Sequence, residues 1–87
     1  MRVRYEGRVQ GVGFRFRARS AAAARRASGF VRNEPDGSVT LEAEGPKADL
    51  LALLRDIRTG PLGAHVLRET VTWIRPSGHA DGFEIRF

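Results

Sequence analysis

Cysteine is absent from the 87 residues, which removes a disulfide framework, a thiolate nucleophile and a sulfur-ligated zinc site. That absence fits a reducing compartment, and a cytoplasmic location is expected. No apolar run approaches the roughly 18–20 residues needed to span a bilayer. Residues 1–20 carry arginines where a signal peptide needs its apolar stretch, so no membrane association is expected. Histidine occurs twice, at 65 and 79, with no accompanying carboxylate constellation. Both read as strand or loop residues, and neither a metal nor a cofactor is expected. Lysine occurs once, so arginine supplies fourteen of the fifteen basic residues.

What is present is unevenly placed. Residues 1–32 hold nine arginines against Glu6 alone, a charge of +8, whereas residues 33–87 carry −3. Most of these arginines read as a solvated surface. Their common field nevertheless lies on the half that carries the chain's most informative stretch, where it would steer an anion inward. That stretch is GRVQGVGFR, Gly7 to Arg15. It leaves an alternating segment, passes three glycines in seven residues and enters an alanine-rich run at an arginine. Glycines let successive N–H groups turn toward one point. A helix start adds unpaired donors and a partial positive charge. Arg15 adds a forked cation, so the loop reads as a phosphate cradle.

Around the cradle, residues 1–8 alternate as a strand, with Val3 and Tyr5 on one face. The alanines between Phe16 and Ser28 favour a helix, with Gly29 as its stop. Phe30 to Asn33 form a second strand, and Glu34-Pro35-Asp36-Gly37 supplies hairpin-turn chemistry. Val39, Leu41 and Ala43 alternate in a third strand. Pro46 opens a second helix, whose buried stripe is expected at Leu50, Leu51, Leu54 and Ile57. A strand follows over His65 to Ile74, with Leu67, Val71 and Trp73 on one face. Phe83, Ile85 and Phe87 alternate in a short last strand. The order βαββαβ plus a small extra strand is the α+β, ferredoxin-like split βαβ sandwich, an antiparallel sheet with two helices on one face. One domain is expected over residues 1–87.

The second informative segment is GFVRN, Gly29 to Asn33, ahead of its Pro-Asp-Gly turn. A helix of about 13 residues runs back roughly 20 Å and the next strand returns over most of it. Arg15 and Asn33 can therefore meet at one edge of the sheet.

These residues resemble the acylphosphatase family. GRVQGVGFR is similar to the family's first signature, GFVRN with Asp36-Gly37 to its second, and GPLGAHV at 60–66 and the closing FEIRF are similar too. The resemblance implies an enzyme that hydrolyses acyl phosphates to a carboxylate and inorganic phosphate. It implies that backbone N–H groups of Gln10, Gly11, Val12, Gly13, Phe14 and Arg15 hold the phosphoryl oxygens, that the Arg15 guanidinium pairs with them, and that the Asn33 amide positions the attacking water. No Asp, Glu or His falls inside GRVQGVGFR or GFVRN, so the water's proton is expected to pass to the substrate's own phosphate. The substrate would be a small-molecule acyl phosphate, with inorganic phosphate as product and competitive inhibitor, and the protein a monomer. Two stretches depart from the usual pattern. Phe16-Arg17 stands where an aromatic pair is common, and Glu34 follows Asn33. A carboxylate at 34 would repel an anionic substrate if it faced the pocket.

Two rival readings stay open. One is a regulatory or carbamoyl-phosphate-handling module without a free-standing enzyme's role, as in larger hydrogenase-maturation proteins. The other is RNA binding, since the same fold serves RNA-recognition modules and GVGFRF loosely matches their aromatic signature. Against it, Val12 replaces a stacking aromatic and the chain has only five Phe, one Tyr and one Trp, so no nucleic-acid partner is expected. The loop fits neither the dinucleotide fingerprint, because Phe16 takes the third glycine's place, nor a Walker A ending.

Overall fold

A computed structural model describes residues 1–76, 78 and 82–87. Five strands, β1 (Arg2–Gly7), β2 (Ser28–Asn33), β3 (Val39–Glu44), β4 (Val66–Thr72) and β5 (Phe83–Arg86), form one sheet in the order β4-β1-β3-β2-β5. Helices α1 (Phe14–Ala23) and α2 (Lys47–Thr59) pack on one of its faces, and a 3-10 turn, Pro61–His65, leads into β4. The split βαβ arrangement is as expected. The sheet is antiparallel between β4, β1, β3 and β2, but β5 joins β2 in parallel, so the sheet is mixed at that edge. Alternation alone cannot give strand direction, which is why the sequence predicts an antiparallel sheet throughout.

The core lies between sheet and helices. Val3, Tyr5, Val31, Val39 and Leu41 are fully shielded on the sheet side, with Phe14, Ala18, Ala22 and Leu53 opposite them. Alanine at 18 and 22 lets α1 approach closely. The Tyr5 and Phe14 rings meet at 5.0 Å, tilted by 54°, and deleting a buried ring such as Phe14 would cost about 3–5 kcal/mol.

Three local readings need correction. Helix α1 ends at Ala23, well short of Ser28, because Ala27 is drawn into the core and Ser28 already pairs with Glu44. Gly29 is therefore a strand residue and not a helix stop. A Cβ there would stand 1.9 Å from the Glu42 carbonyl oxygen, so the strands' close approach requires glycine. On α2 the buried stripe is Leu50, Leu53, Leu54 and Ile57, the i, i+3, i+4, i+7 set, and Leu51 is exposed. On β4, Glu6 pairs with Arg68 but Gly7 with Val66. Leu67 is the extra residue of a bulge, which turns its side chain to solvent. Trp73 lies beyond the end of β4, half exposed, with the Lys47 ammonium 5.4 Å from its ring. Only Val71 of that expected face packs on the core.

The open face of the sheet is charged. Arg2 pairs with Glu42, Arg4 with Glu6 and Asp36, and Arg86 with Glu84. Phe30 is its large apolar residue, 4% exposed, with the Arg86 and Arg32 guanidinium carbons 4.0 and 5.5 Å from its ring centre.

Candidate active site

After Gly7 the chain runs over the end of the sheet. Val9 is fully buried and pins the first part of the loop. Gly11 and Gly13 both adopt φ 76°, a left-handed geometry that side chains resist, and a Cβ on either would meet nothing within 4 Å. Glycine is required there by backbone conformation, with open space above it. Gly13 is also the N-cap of α1. No side chain caps that helix and its first turn holds no acidic residue. Arg17 N–H donates to the Gly13 carbonyl at 3.1 Å, whereas the N–H groups of Gly11, Val12, Gly13, Phe14 and Arg15 have no acceptor among the described residues. Unpaired donors at the positive end of a helix favour an anion.

Beside this loop, Val9, Gly11, Gly13, Phe14, Arg15, Phe16 and Asn33 line an open cavity of ≈ 120 Å³. Arg15 and Asn33, eighteen positions apart, thus share one hollow. Val12 is half-buried against the core, and neither it nor Gln10 belongs to the cavity wall. The Gln10 side-chain amide reaches away, donating to the carbonyls of Glu34 at 2.7 Å and Ser38 at 3.0 Å.

Arg15 is oriented from the far end of the chain. Its Nη1 donates to the Arg86 carbonyl at 3.0 Å, and its guanidinium lies 4.7 Å from the centre of the Phe87 ring, which is 95% exposed. In the parallel ladder Arg32 stands opposite Arg86, so Phe87 follows Arg86 as Asn33 follows Arg32. The remaining edge of the fork faces no acceptor among the described residues. Asn33 ends β2 opposite Val39, and its Oδ1 is buried with no hydrogen-bond partner. A buried amide oxygen is ordinarily satisfied, and rotation about χ2 exchanges which end of the amide meets the cavity.

The charge of Glu34 is directed elsewhere: its Oε1 accepts from Arg32 Nε at 2.7 Å, and it does not line the cavity. No carboxylate or imidazole is in the cavity wall. Among the described residues no group of three His, Cys, Asp or Glu could hold a metal ion; His79 lies outside them. Tyr5 stands behind Phe14, with its hydroxyl buried and unpaired. Burial, with Glu69 facing it across the ladder, raises its ionisation far above the usual phenol range, so it stays neutral. Sequence reasoning missed Val9, Phe16, Arg86 and Phe87 as neighbours of the cradle. The alternation of Phe83, Ile85 and Phe87 was the available signal, since it sets Phe87 on the helix-covered side.

A ferredoxin-like sandwich with unpaired amides, a guanidinium and a carboxamide around one small hollow is a domain suited to holding a tetrahedral oxyanion beside a polarised water. The sequence profile of the acylphosphatase family matches residues 1–85, and the chain belongs to that family. It is 46% identical over 83 residues to an acylphosphatase of Salinibacter ruber, covering 95% of this chain and 87% of the relative. Its fold matches the crystal structure of acylphosphatase from Bacillus subtilis with a TM-score of 0.89 and 36% identity, covering 99% of this chain and 96% of that one. It also matches full-length HypF, in a phosphate- and nucleotide-bound form, with a TM-score of 0.91 and 28% identity, over 99% of this chain but 11% of that one. No helix among the described residues is long and apolar enough to cross a membrane.

Proposed function

We propose that the chain is a hydrolase of acyl phosphates, and that the hollow between the glycine loop and Asn33 is where the carboxyl–phosphate bond is cleaved. The N–H groups from Gln10 to Arg15 hold the phosphoryl oxygens, and the free edge of the Arg15 guanidinium pairs with two of them. The Asn33 amide aims a water at phosphorus, in line with the leaving carboxylate. The water oxygen forms a bond to phosphorus as the bond to the acyl oxygen breaks. The carboxylate departs with the bonding pair, and the water's proton passes to a phosphoryl oxygen. An acyl phosphate has a good leaving group and a loose transition state, so positioning and charge stabilisation suffice. No base, metal or cofactor is required. The carrying observation is that Arg15 and Asn33 line one cavity with the left-handed Gly11 and Gly13 at the uncapped start of α1.

The substrate is a small acyl phosphate, and inorganic phosphate, the product, competes for the cradle. A monomer in the cytoplasm, with residues 1–87 as its working unit, is the accompanying reading. RNA binding is disfavoured, because Phe30, the aromatic of the open sheet face, is 4% exposed under Arg32 and Arg86 and offers no stacking surface. The likeness to part of HypF favours a second reading, a regulatory acylphosphatase-like module without catalysis. The purified chain separates them: benzoyl phosphate should be hydrolysed at a rate insensitive to a chelator and competitively inhibited by inorganic phosphate. No turnover would refute the hydrolase reading, and chelator sensitivity would refute the metal-free route.

A further inference from the structure

We propose that Gln10 is a positioning residue of this site: its side chain straps the cradle to the strand end that carries Asn33. The proposal rests on the hydrolytic reading above. Gln10 sits between buried Val9 and left-handed Gly11, at the last point where the loop carries a long side chain before its permissive turn. Its Nε2 reaches the Glu34 carbonyl at 2.7 Å and the Ser38 carbonyl at 3.0 Å. Both partners are acceptors, so only the NH2 end of the amide can satisfy them, and its two hydrogens are both committed. Neither is left for a phosphoryl oxygen, which separates this side chain from the backbone donors of the cradle.

The anchors are well chosen. Glu34 directly follows Asn33, and its own N–H donates to the Ser38 carbonyl at 2.8 Å, so Gln10 grips the pair of residues that closes the β2–β3 turn. That turn is itself braced. Asp36 Oδ1 accepts from Ser38 N–H at 3.0 Å and from Ser38 Oγ at 2.6 Å, and the Asp36 carboxylate pairs with Arg4 at 2.6 Å. Ser38 is 3% exposed. The strap therefore links the glycine loop to a braced turn. Among the described residues it is the hydrogen-bonded link between residues 8–13 and the turn after Asn33. In-line attack needs the water at Asn33 and the phosphorus in the cradle in fixed register, and a misplacement of about 1 Å can cost on the order of 100-fold in rate.

The test compares wild type, Gln10→Met, which keeps the length and removes the donors, Asn33→Ala and the double variant. Steady-state hydrolysis of benzoyl phosphate and inhibition by inorganic phosphate are measured on each. Gln10→Met should lower kcat by roughly 10- to 100-fold while KM and the phosphate inhibition constant move by less than about threefold. In the Asn33→Ala background it should change kcat by less than about twofold, because the register it maintains then has nothing to align. An unchanged kcat, independent multiplication of the two losses, or a phosphate constant that rises in step with the lost kcat would overturn the strap. Hydrogen–deuterium exchange of the Glu34 N–H, which is bonded to the Ser38 carbonyl at 2.8 Å beneath the strap, reads the same link without catalysis. It should quicken in Gln10→Met, and equal exchange in both proteins overturns the proposal. An inactive wild type with quickened exchange at Glu34 in Gln10→Met would instead sink the hydrolytic reading and leave the strap standing.

Discussion

At the third position of α2 stands Asp49, whose carboxylate lies 3.5 Å from Arg26; the same position of α1 holds Phe16, an exposed ring on the cavity wall. Both helices lack a side-chain cap. Helix α2 nevertheless compensates its positive end with an acidic residue in the first turn, and Pro46 at its N-cap accepts from the N–H groups of Asp49 and Leu50 at 2.9 and 3.1 Å. Helix α1 has no acidic residue in its first turn: its N-cap Gly13 is left-handed and accepts only from Arg17, its second residue is Arg15, and it faces a hollow with no carboxylate. The contrast separates a helix end satisfied by its own chain from one left open, which in the proposed function is where the phosphoryl group binds.

The sharpest way to break that contrast is to remove the groups that complete the open end. Arg15→Ala and Asn33→Ala should each lower kcat for benzoyl phosphate by roughly 10²–10³, about 3–4 kcal/mol, with the circular dichroism of the fold retained. Wild-type turnover by Asn33→Ala would remove the water-positioning role. Next in size, Gly13→Ala forces a Cβ into the left-handed region, at about 1–2 kcal/mol. Denaturant titration should show that loss, and the misdirected amides should slow turnover at least tenfold. A smaller effect is expected when α1 is made to resemble α2. Phe16→Asp should stabilise the fold by about 0.3–1 kcal/mol and weaken phosphate binding up to about fivefold, both from the same helix charge. Tighter phosphate binding would mean that the helix end does not face the ligand. The reverse change, Asp49→Ala, should cost about 0.3–1 kcal/mol of stability and leave kcat/KM alone. Acid tests the turn beside the site. Neighbouring Ser38 and Arg4 hold the Asp36 carboxyl well below its usual range, so its contribution is complete above pH ~4 and is lost as pH falls further. An Asp36→Asn variant should lack that segment of the stability–pH curve.

Much of this was legible in the sequence because glycine spacing, helix length and strand length are local quantities. They suffice to set Arg15 and Asn33 on the same edge. Pairing partners are not local. The Arg86 carbonyl that holds Arg15 lies 71 positions away, on a strand whose parallel direction alternation does not encode. The bulge at Leu67 depends on how β4 meets Gly7, so the expected apolar face of β4 dissolves at its first residue. Leu51 was misplaced for a different reason: three of four consecutive residues from Leu50 to Leu53 are leucine, and only packing decides which one is left outside. Gln10 was legible as part of a motif, but its side chain's task depends on a turn 24 residues on.

The grip on Arg15 comes from a four-residue edge ribbon, β5, hydrogen-bonded to a single neighbour. Sheet margins of this kind fray at far lower free energy than central strands open. Mild urea should therefore silence turnover while the helices and the inner strands persist, so that the activity midpoint precedes the far-ultraviolet one. Coincident midpoints would mean that the margin melts only with the whole.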